Sequence, residues 1–463
     1  MGGKTGGIDR LSFYAGDSFA KTVNKRQGRL ENGMSRVIVA GGGAAGMYAA
    51  MTAAEYGHEV TLIEQNEKLG KKLFITGKGR CNLTNAADLD TVFGNIVTNP
   101  KFLYSSIHTH TNRDVMDTMQ EKGLTVKVER GERVFPVSDH SSDVIRALER
   151  GLKEAGVNVL LNTRVEELII ENGSYQGMIV NDRRGRRRML SDCCILATGG
   201  LSYPSTGSTG DGLRMAKKAG HTIEKCRPAL VPIEVYEDAL CRNMMGLSLK
   251  NVNLCVFFGE GKQKKEIYNG FGEMLFTHFG VSGPLVLSAS SYINRDFYDR
   301  EEKTDRTDDM PELLMELDLK PAISAEQFLA RVNREFEGNM NKEVKNVLPA
   351  MYPAKMVPVL LDRLKLDGNR KIHSITREEK LNLVEMTKHF RLTVRGMRGY
   401  NEAIITHGGV NVKEVNPQTM ESKKVHGLYF AGEMLDVDAL TGGFNLQIAW
   451  SSAYAAGSSI EWV

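Results

Sequence analysis

Residues 37 to 46 read VIVAGGGAAG. The first four are apolar and mostly β-branched, which is a short buried strand. Gly41, Gly43 and Gly46 follow in the spacing G-x-G-x-x-G, and residues 47 to 57, MYAAMTAAEYG, continue as a helix. Between a strand and a helix this spacing has a physical meaning. The first glycine permits the tight turn, the second lets a pyrophosphate approach the main chain, and the third lets helix and strand pack closely. The unpaired amides of the helix start, with Ala45 among the turn residues, then face the phosphates.

A second apolar run, HEVTLIE, ends at Glu64, with Gln65 next to it. About twenty residues beyond a glycine motif, a strand-end carboxylate accepts hydrogen bonds from the ribose hydroxyls. An acid there favours an unphosphorylated adenosine ribose, a condition that FAD and NAD meet and NADP does not.

Residues 70 to 85, GKKLFITGKGRCNLTN, follow the ribose acid directly. They are too rich in Gly, Lys, Arg and Asn to read as helix or strand, and are expected to fold over the bound dinucleotide. Lys71, Lys72 and Arg80 are expected to neutralise pyrophosphate, and Gly77 and Gly79 to allow backbone contact with a flat ring. Cys81 and Asn82 complete that loop. Cys81 reads as structural, because no partner cysteine follows at disulfide-reductase spacing.

Further blocks return to the cofactor. CCILA at 193 to 197 is an apolar strand ending in Thr198, Gly199 and Gly200. GLYFAGEMLD at 427 to 436 is another, ending in Gly432 and Glu433. Gly442 and Gly443, then Phe444, Asn445 and Leu446, open the last apolar helix, whose amides suit the negative charge of a reduced ring. An adenine contact is expected at Val165, in the apolar run NVLLNTRVEELI.

Taken together, residues 70–85, ATGGLSYPSTGSTGDG at 197–212, GEMLFTHFGVSGP at 272–284 and AGEMLDVDALTGGFNLQIAWSSAYAAG at 431–457 resemble, in this order, a widespread bacterial flavoprotein family. It is usually described as NAD(P)/FAD-dependent oxidoreductases or aminoacetone oxidases and includes the flavoprotein linked to bile-acid dehydroxylation. The likeness runs from about Val37 to the C-terminus. It implies non-covalent FAD on a fold of the two-dinucleotide-binding type, with NAD(P)H as a transient donor. It also implies a strand-end carboxylate on the ribitol. Glu433 stands where the broader group often has Asp, and Asp436 is a second candidate.

Composition sets outer bounds. A chain of 463 residues is too long for one core. Sixty Lys and Arg against 57 Asp and Glu leave a formal charge of +3, so no general pull toward nucleic acid or membrane is expected. The densest basic run, RRGRRR at 183 to 188, reads as a solvated hairpin tip. Six cysteines without a C-x-x-C pair argue against a metal site and for a reducing compartment. No apolar run reaches the length of a membrane span and no apolar signal core opens the chain, so the expected location is the cytoplasm. Oligomeric state is not legible. Gly2 to Thr5 only superficially resemble a phosphate loop, and Met34 reads as an alternative start.

The expected fold is α/β. A Rossmann-like FAD-binding domain over 35–224 and 407–463 is interrupted by a β-barrel-like domain over 225–304 and 372–406. A helical insert over 305–371, with PELLMELD read as its first helix, interrupts that barrel in turn. Residues 1–34 are expected to be a flexible extension. No second strand, glycine motif and helix for a nicotinamide nucleotide is visible.

The function expected is an FAD-dependent oxidoreductase, NAD(P)H-linked, acting on a small-molecule substrate such as an enone or steroid-like ring. The alternatives are an amine or aminoketone oxidase using dioxygen, and a flavin-dependent RNA-modifying protein. The near-neutral charge weighs against the last. Candidate proton-handling residues are Tyr203, His278 and, where the chain re-enters the FAD domain, His407.

Overall fold

The computed structural model describes residues 33–259, 264–303 and 312–462. Most of the expected N-terminal extension, including Gly2 to Thr5, therefore lies outside the described residues.

Short apolar runs become the strands of one parallel sheet. Its spatial order is Leu428–Phe430, Cys193–Leu196, Arg36–Ala40, Glu59–Ile63 and Asn158–Leu160. Val37 to Ala40 and Cys194 to Leu196 are buried, as strands covered on both faces must be. Helix Ala44–Glu55 runs beside the C-terminal helix Phe444–Ser458, both rich in alanine and almost wholly buried. The carboxyl ends of the three strands that open on glycine, at Ala40, Leu196 and Phe430, all lie at the same end of this sheet. Parallel sheets bind their ligands at that end.

A second body is a closed six-stranded barrel, ordered Ile233–Val235, Gly280–Ser282, Lys265–Phe276, Ser248–Phe258, Leu313–Asp318 and Phe390–Met397. Helices Ala325–Glu337, Val357–Arg363 and Arg377–Lys388 share its apolar core: Phe328, Phe336 and Leu360 belong to the same cluster as Phe276, Leu317 and Phe390. The two bodies are joined by an antiparallel ribbon of Ile223–Ala229 with Ile405–Val410.

Four local readings are corrected by the structure. PELLMELD is not helical: Leu313–Asp318 is a barrel strand hydrogen-bonded on both sides. A six-residue apolar run is too short for its period to decide between the two. Lys71–Ile75, read as irregular, forms a short helix. NVLLNTRVEELI is two strands, because Asn162 turns left-handed at φ 51° and redirects the chain. Pro284–Lys303, which gave no helical reading, is a long helix against the barrel. RRGRRR does form a hairpin, and part of its charge is met locally: Arg186 pairs with Glu166 and Glu167, and Arg187 with Asp182.

Candidate functional site

The glycine loop is built for a ligand at one position and for packing at the others. Gly41 turns at φ 106°, and a side chain at Gly46 would collide with the Gly41 carbonyl. At Gly43 a Cβ would meet nothing within 4 Å. Gly43 is also the N-cap of its helix, and no side chain caps it. The first amides of that helix have no intrahelical acceptor, and they open into an elongated cleft lined from Glu64 and Val165 to Glu433 and Leu446.

Glu64 is 8% exposed and ties this loop together. Its Oε2 accepts from the Gly42 amide at 2.7 Å, and its Oε1 accepts from the Asn66 amide and side chain at 2.8 and 2.7 Å. Gln65 donates to the Gly207 carbonyl at 2.7 Å. Val165 lines the same end of the cleft with Arg164, which pairs with Asp211 at 2.8 Å.

At the other end Lys72 donates to Glu433 at 2.6 Å, across 361 residues of chain, and Glu433 also accepts from the Thr406 amide at 2.8 Å. Lys72, Glu433, Gly432 and Thr198 line the cleft, as do Gly199, Ala45, Asn445 and Leu446. The Asn445 side chain bonds both the amide and the carbonyl of Ala439. Thus the structure brings the two strand-end carboxylates and the glycine loop to one cavity.

Other expected residues lie beside the cleft rather than in its lining. Arg80 is engaged by Glu129 at 2.6 Å and by Asp139 at 2.5 Å, and lies over the Phe135 ring. Gly77 and Gly79 take left-handed turns at φ 62° and 84°. Burial pushes the Cys81 thiol up to about 12, so it is not a ready nucleophile. Asn82 keeps its side-chain oxygen buried without a partner among the described residues. Gly200 packs on Thr406, and Gly442 and Gly443 pack on Asn85 and the Thr84 carbonyl. Asp436 is held by Asn99. Burial, ahead of its acidic neighbours, raises its pKa.

Neither Tyr203 nor His278 is in the cleft's lining. His278 is exposed beside Phe279, over whose ring Arg398 lies at 4.7 Å. Arg398 pairs with Glu402, and burial together with the Glu402 charge pushes the Tyr203 hydroxyl up. Residues that sequence reasoning missed include Asn66, Thr206 and Ile404 to Thr406. Nothing local marks them, because long-range folding brings them to the cleft.

A family model described as HI0933-like protein Rossmann domain matches residues 35–459. The chain belongs to this family. It is an FAD-binding Rossmann protein and an FAD-dependent oxidoreductase, as the resemblance implied. It is 31% identical over 427 residues to a 3-dehydro-bile acid delta(4,6)-reductase of Clostridium scindens, covering 92% of this chain and 98% of that one. It is 32% identical over 431 residues to a ribosomal RNA dihydrouridine synthase of Haemophilus influenzae, with the same coverage. A flavocytochrome c3 fumarate reductase structure is similar over 98% of this chain and 82% of that one, with TM-score 0.45 and 16% identity.

The residues present fit FAD. The open face at Gly43 and the free amides suit pyrophosphate, Glu64 suits the adenosine ribose, and Glu433 suits the ribitol. No helix among the described residues is long and apolar enough to cross a membrane.

Proposed function

We propose that the protein is an FAD-dependent reductase that saturates a carbon–carbon double bond conjugated to a carbonyl, with NAD(P)H as electron source. One observation carries this reading. The two relatives, at 31% and 32% identity and with 98% of each covered, differ entirely in substrate and share one chemical step. A delta(4,6)-reductase acting on a 3-oxo steroid skeleton and a synthase of dihydrouridine both add two hydrogens across an alkene polarised by a carbonyl. Bound FAD, once reduced, supplies the hydride. The chain's residues supply the rest: they hold the dinucleotide, exclude water and provide the balancing proton.

For the substrate, a flat small-molecule ring is the reading we favour. The charge balance is +3, and in the densest basic run Arg186 and Arg187 are paired with Glu166, Glu167 and Asp182, which weighs against a dedicated phosphate-backbone surface. The similarity to the ribosomal RNA enzyme supports a second reading, in which the ring is a uracil base of RNA.

Anaerobic stopped-flow spectroscopy tests both. The yellow protein is first bleached with NADH or NADPH, then mixed with a 3-oxo-4-ene steroid or with ribosomal RNA stripped of protein. Reoxidation by the steroid, with one equivalent of saturated product, supports the favoured reading. Reoxidation by the RNA alone, with dihydrouridine in its digest, selects the second. A reduced protein that reacts with dioxygen and neither alkene, and an oxidised one that aminoacetone bleaches, would overturn both in favour of an oxidase.

A further inference from the structure

Beside the dinucleotide cleft a second groove lies among helix Ser141–Glu154, the short helix Lys71–Ile75 and Asn158–Leu160, the edge strand of the parallel sheet. It holds about 790 Å³, within the roughly 300–1,000 Å³ of sites for small molecules. Ile145 and Leu152, two turns apart, line it from the longer helix, and Val159 and Leu161, alternate residues of an extended chain, line it from the sheet edge. Phe74 and Ile75 complete the apolar lining. Three of these side chains stay open to solvent: Phe74 is 56% exposed, Ile75 41% and Leu161 37%. Exposed apolar side chains scattered singly carry no meaning, but gathered in one concavity they mark a place for a ligand.

The rim of this groove is cationic. Lys68, Lys71, Arg146 and Lys153 line it, with Glu67 and Glu149. Lys71 is engaged by Glu67 at 3.0 Å, and Arg146 by Asp143. Lys68 and Lys153 make no ion pair among the described residues, and only Glu149 opposes them, so the rim keeps a net positive charge. An apolar floor edged by ammonium groups complements a molecule that is apolar along its body and anionic at one end. A neutral apolar ligand would leave the lysines unused, and a compact inorganic anion would leave Phe74 and Ile75 in water.

Lys71 and Thr206 line this groove and the dinucleotide cleft alike, so the two hollows share a wall. Within that wall Lys71 donates to Asn66 Oδ1 at 3.2 Å. The Asn66 side-chain nitrogen in turn donates to Glu64 at 2.7 Å and to the Thr206 carbonyl at 3.0 Å. We propose that the groove is a second ligand site, for a monomeric amphipathic anion of the medium-chain carboxylate class, and that its occupancy loosens FAD through Lys71. The bound carboxylate competes with Asn66 for the Lys71 ammonium. Asn66 is then held less firmly where it ties Glu64 to the Thr206 loop, at the adenosine end of the cleft. Such coupling is reciprocal, so bound FAD weakens the carboxylate by the same factor. The site is independent of which alkene the flavin reduces, because none of its contacts involves the reacting ring.

Calorimetric titration of the flavin-loaded full chain with decanoate, kept monomeric, tests the site. One decanoate per chain is expected, and decyltrimethylammonium, with the same tail and the opposite charge, should bind about tenfold more weakly. Phe74→Ser should weaken decanoate about tenfold, and Lys68→Glu and Lys153→Glu about threefold each. All three residues lie outside the lining of the FAD cleft, so these variants should keep the wild-type flavin content. Release of FAD on dilution, followed by its fluorescence, reads the coupling: saturating decanoate should speed it about fivefold in wild type and not in Phe74→Ser. Equal binding of the two amphiphiles, or wild-type decanoate affinity in Phe74→Ser and in both lysine variants, would overturn the site. So would a protein that ignores monomeric decanoate but is retained on phosphatidylglycerol vesicles, or one that forms a dimer which Phe74→Ser dissociates. A release rate that decanoate leaves unchanged would overturn the coupling.

Discussion

The amide of Gly42 donates a 2.7 Å hydrogen bond to the carboxylate of Glu64, so the acid expected on the ribose also holds the glycine loop in shape. Binding and folding are joined at this contact. Hydrogen bonds to a charged group are worth about 1.5–3 kcal/mol. Glu64→Ala is expected to weaken FAD binding by about 10- to 100-fold and to lower the melting temperature of the flavin-free protein. Titration of that protein with FAD, beside calorimetry, checks both effects, and an unchanged flavin affinity would contradict the role given to Glu64.

The glycines of the motif divide by what they face. Gly43 has an extended backbone, and a side chain there meets no protein atom within 4 Å. Gly43→Leu should therefore fold with a near-native melting temperature and purify colourless. At Gly46 any side chain meets the Gly41 carbonyl, so Gly46→Ala should lose stability whether or not FAD is added. Circular dichroism melts with and without FAD distinguish the two behaviours.

Lys72 and Arg80, two cations expected on the phosphates, should separate experimentally. Lys72 lines the cleft and bonds Glu433, whereas Arg80 is occupied by Glu129 and Asp139. Lys72→Ala should weaken FAD binding about tenfold, and Arg80→Ala should change it less than about threefold while loosening residues 76–82, estimates that follow from hydrogen bonds to charges. Flavin fluorescence and limited proteolysis read the two outcomes.

His110 gives the protein an acid sensitivity. It is buried, its Nε2 lies 2.5 Å from the Tyr48 hydroxyl, and the Tyr454 ring stacks on it at 4.2 Å. Burial lowers its pKa to about 4, only partly opposed by Asp114. An unfolded histidine takes its proton near pH 6.5, so between about 6.5 and 4 the unfolded chain binds the extra proton and stability falls as pH falls. The slope from one such group approaches about 1.4 kcal/mol per pH unit. Urea midpoints measured across this window should show a shallower slope in His110→Phe than in wild type, and equal slopes would contradict this origin.

What could be read from the sequence follows the range of the interactions involved. The strand, glycine loop, helix and Glu64 lie within 28 residues, and each step is set by local periodicity or spacing, so these elements were legible. The pairing of Lys72 with Glu433 spans 361 residues and that of His407 with Asp438 spans 31 through a change of strand, and no local pattern encodes either. Arg80 shows the reverse case. Its residue type suited phosphate, yet two acids at 129 and 139 reach it once the chain folds. Leu313–Asp318 became a strand because the barrel supplied partners on both edges, information that the six residues do not contain.

The most direct measurement is the flavin content of the freshly purified protein, by absorbance and by mass analysis of the heat-released ligand. One FAD per chain is expected, with uptake restored to stripped wild type and absent in Gly43→Leu. A colourless wild-type protein that takes up no added FAD under native conditions, or a Gly43→Leu variant that binds FAD as wild type does, would contradict the site described.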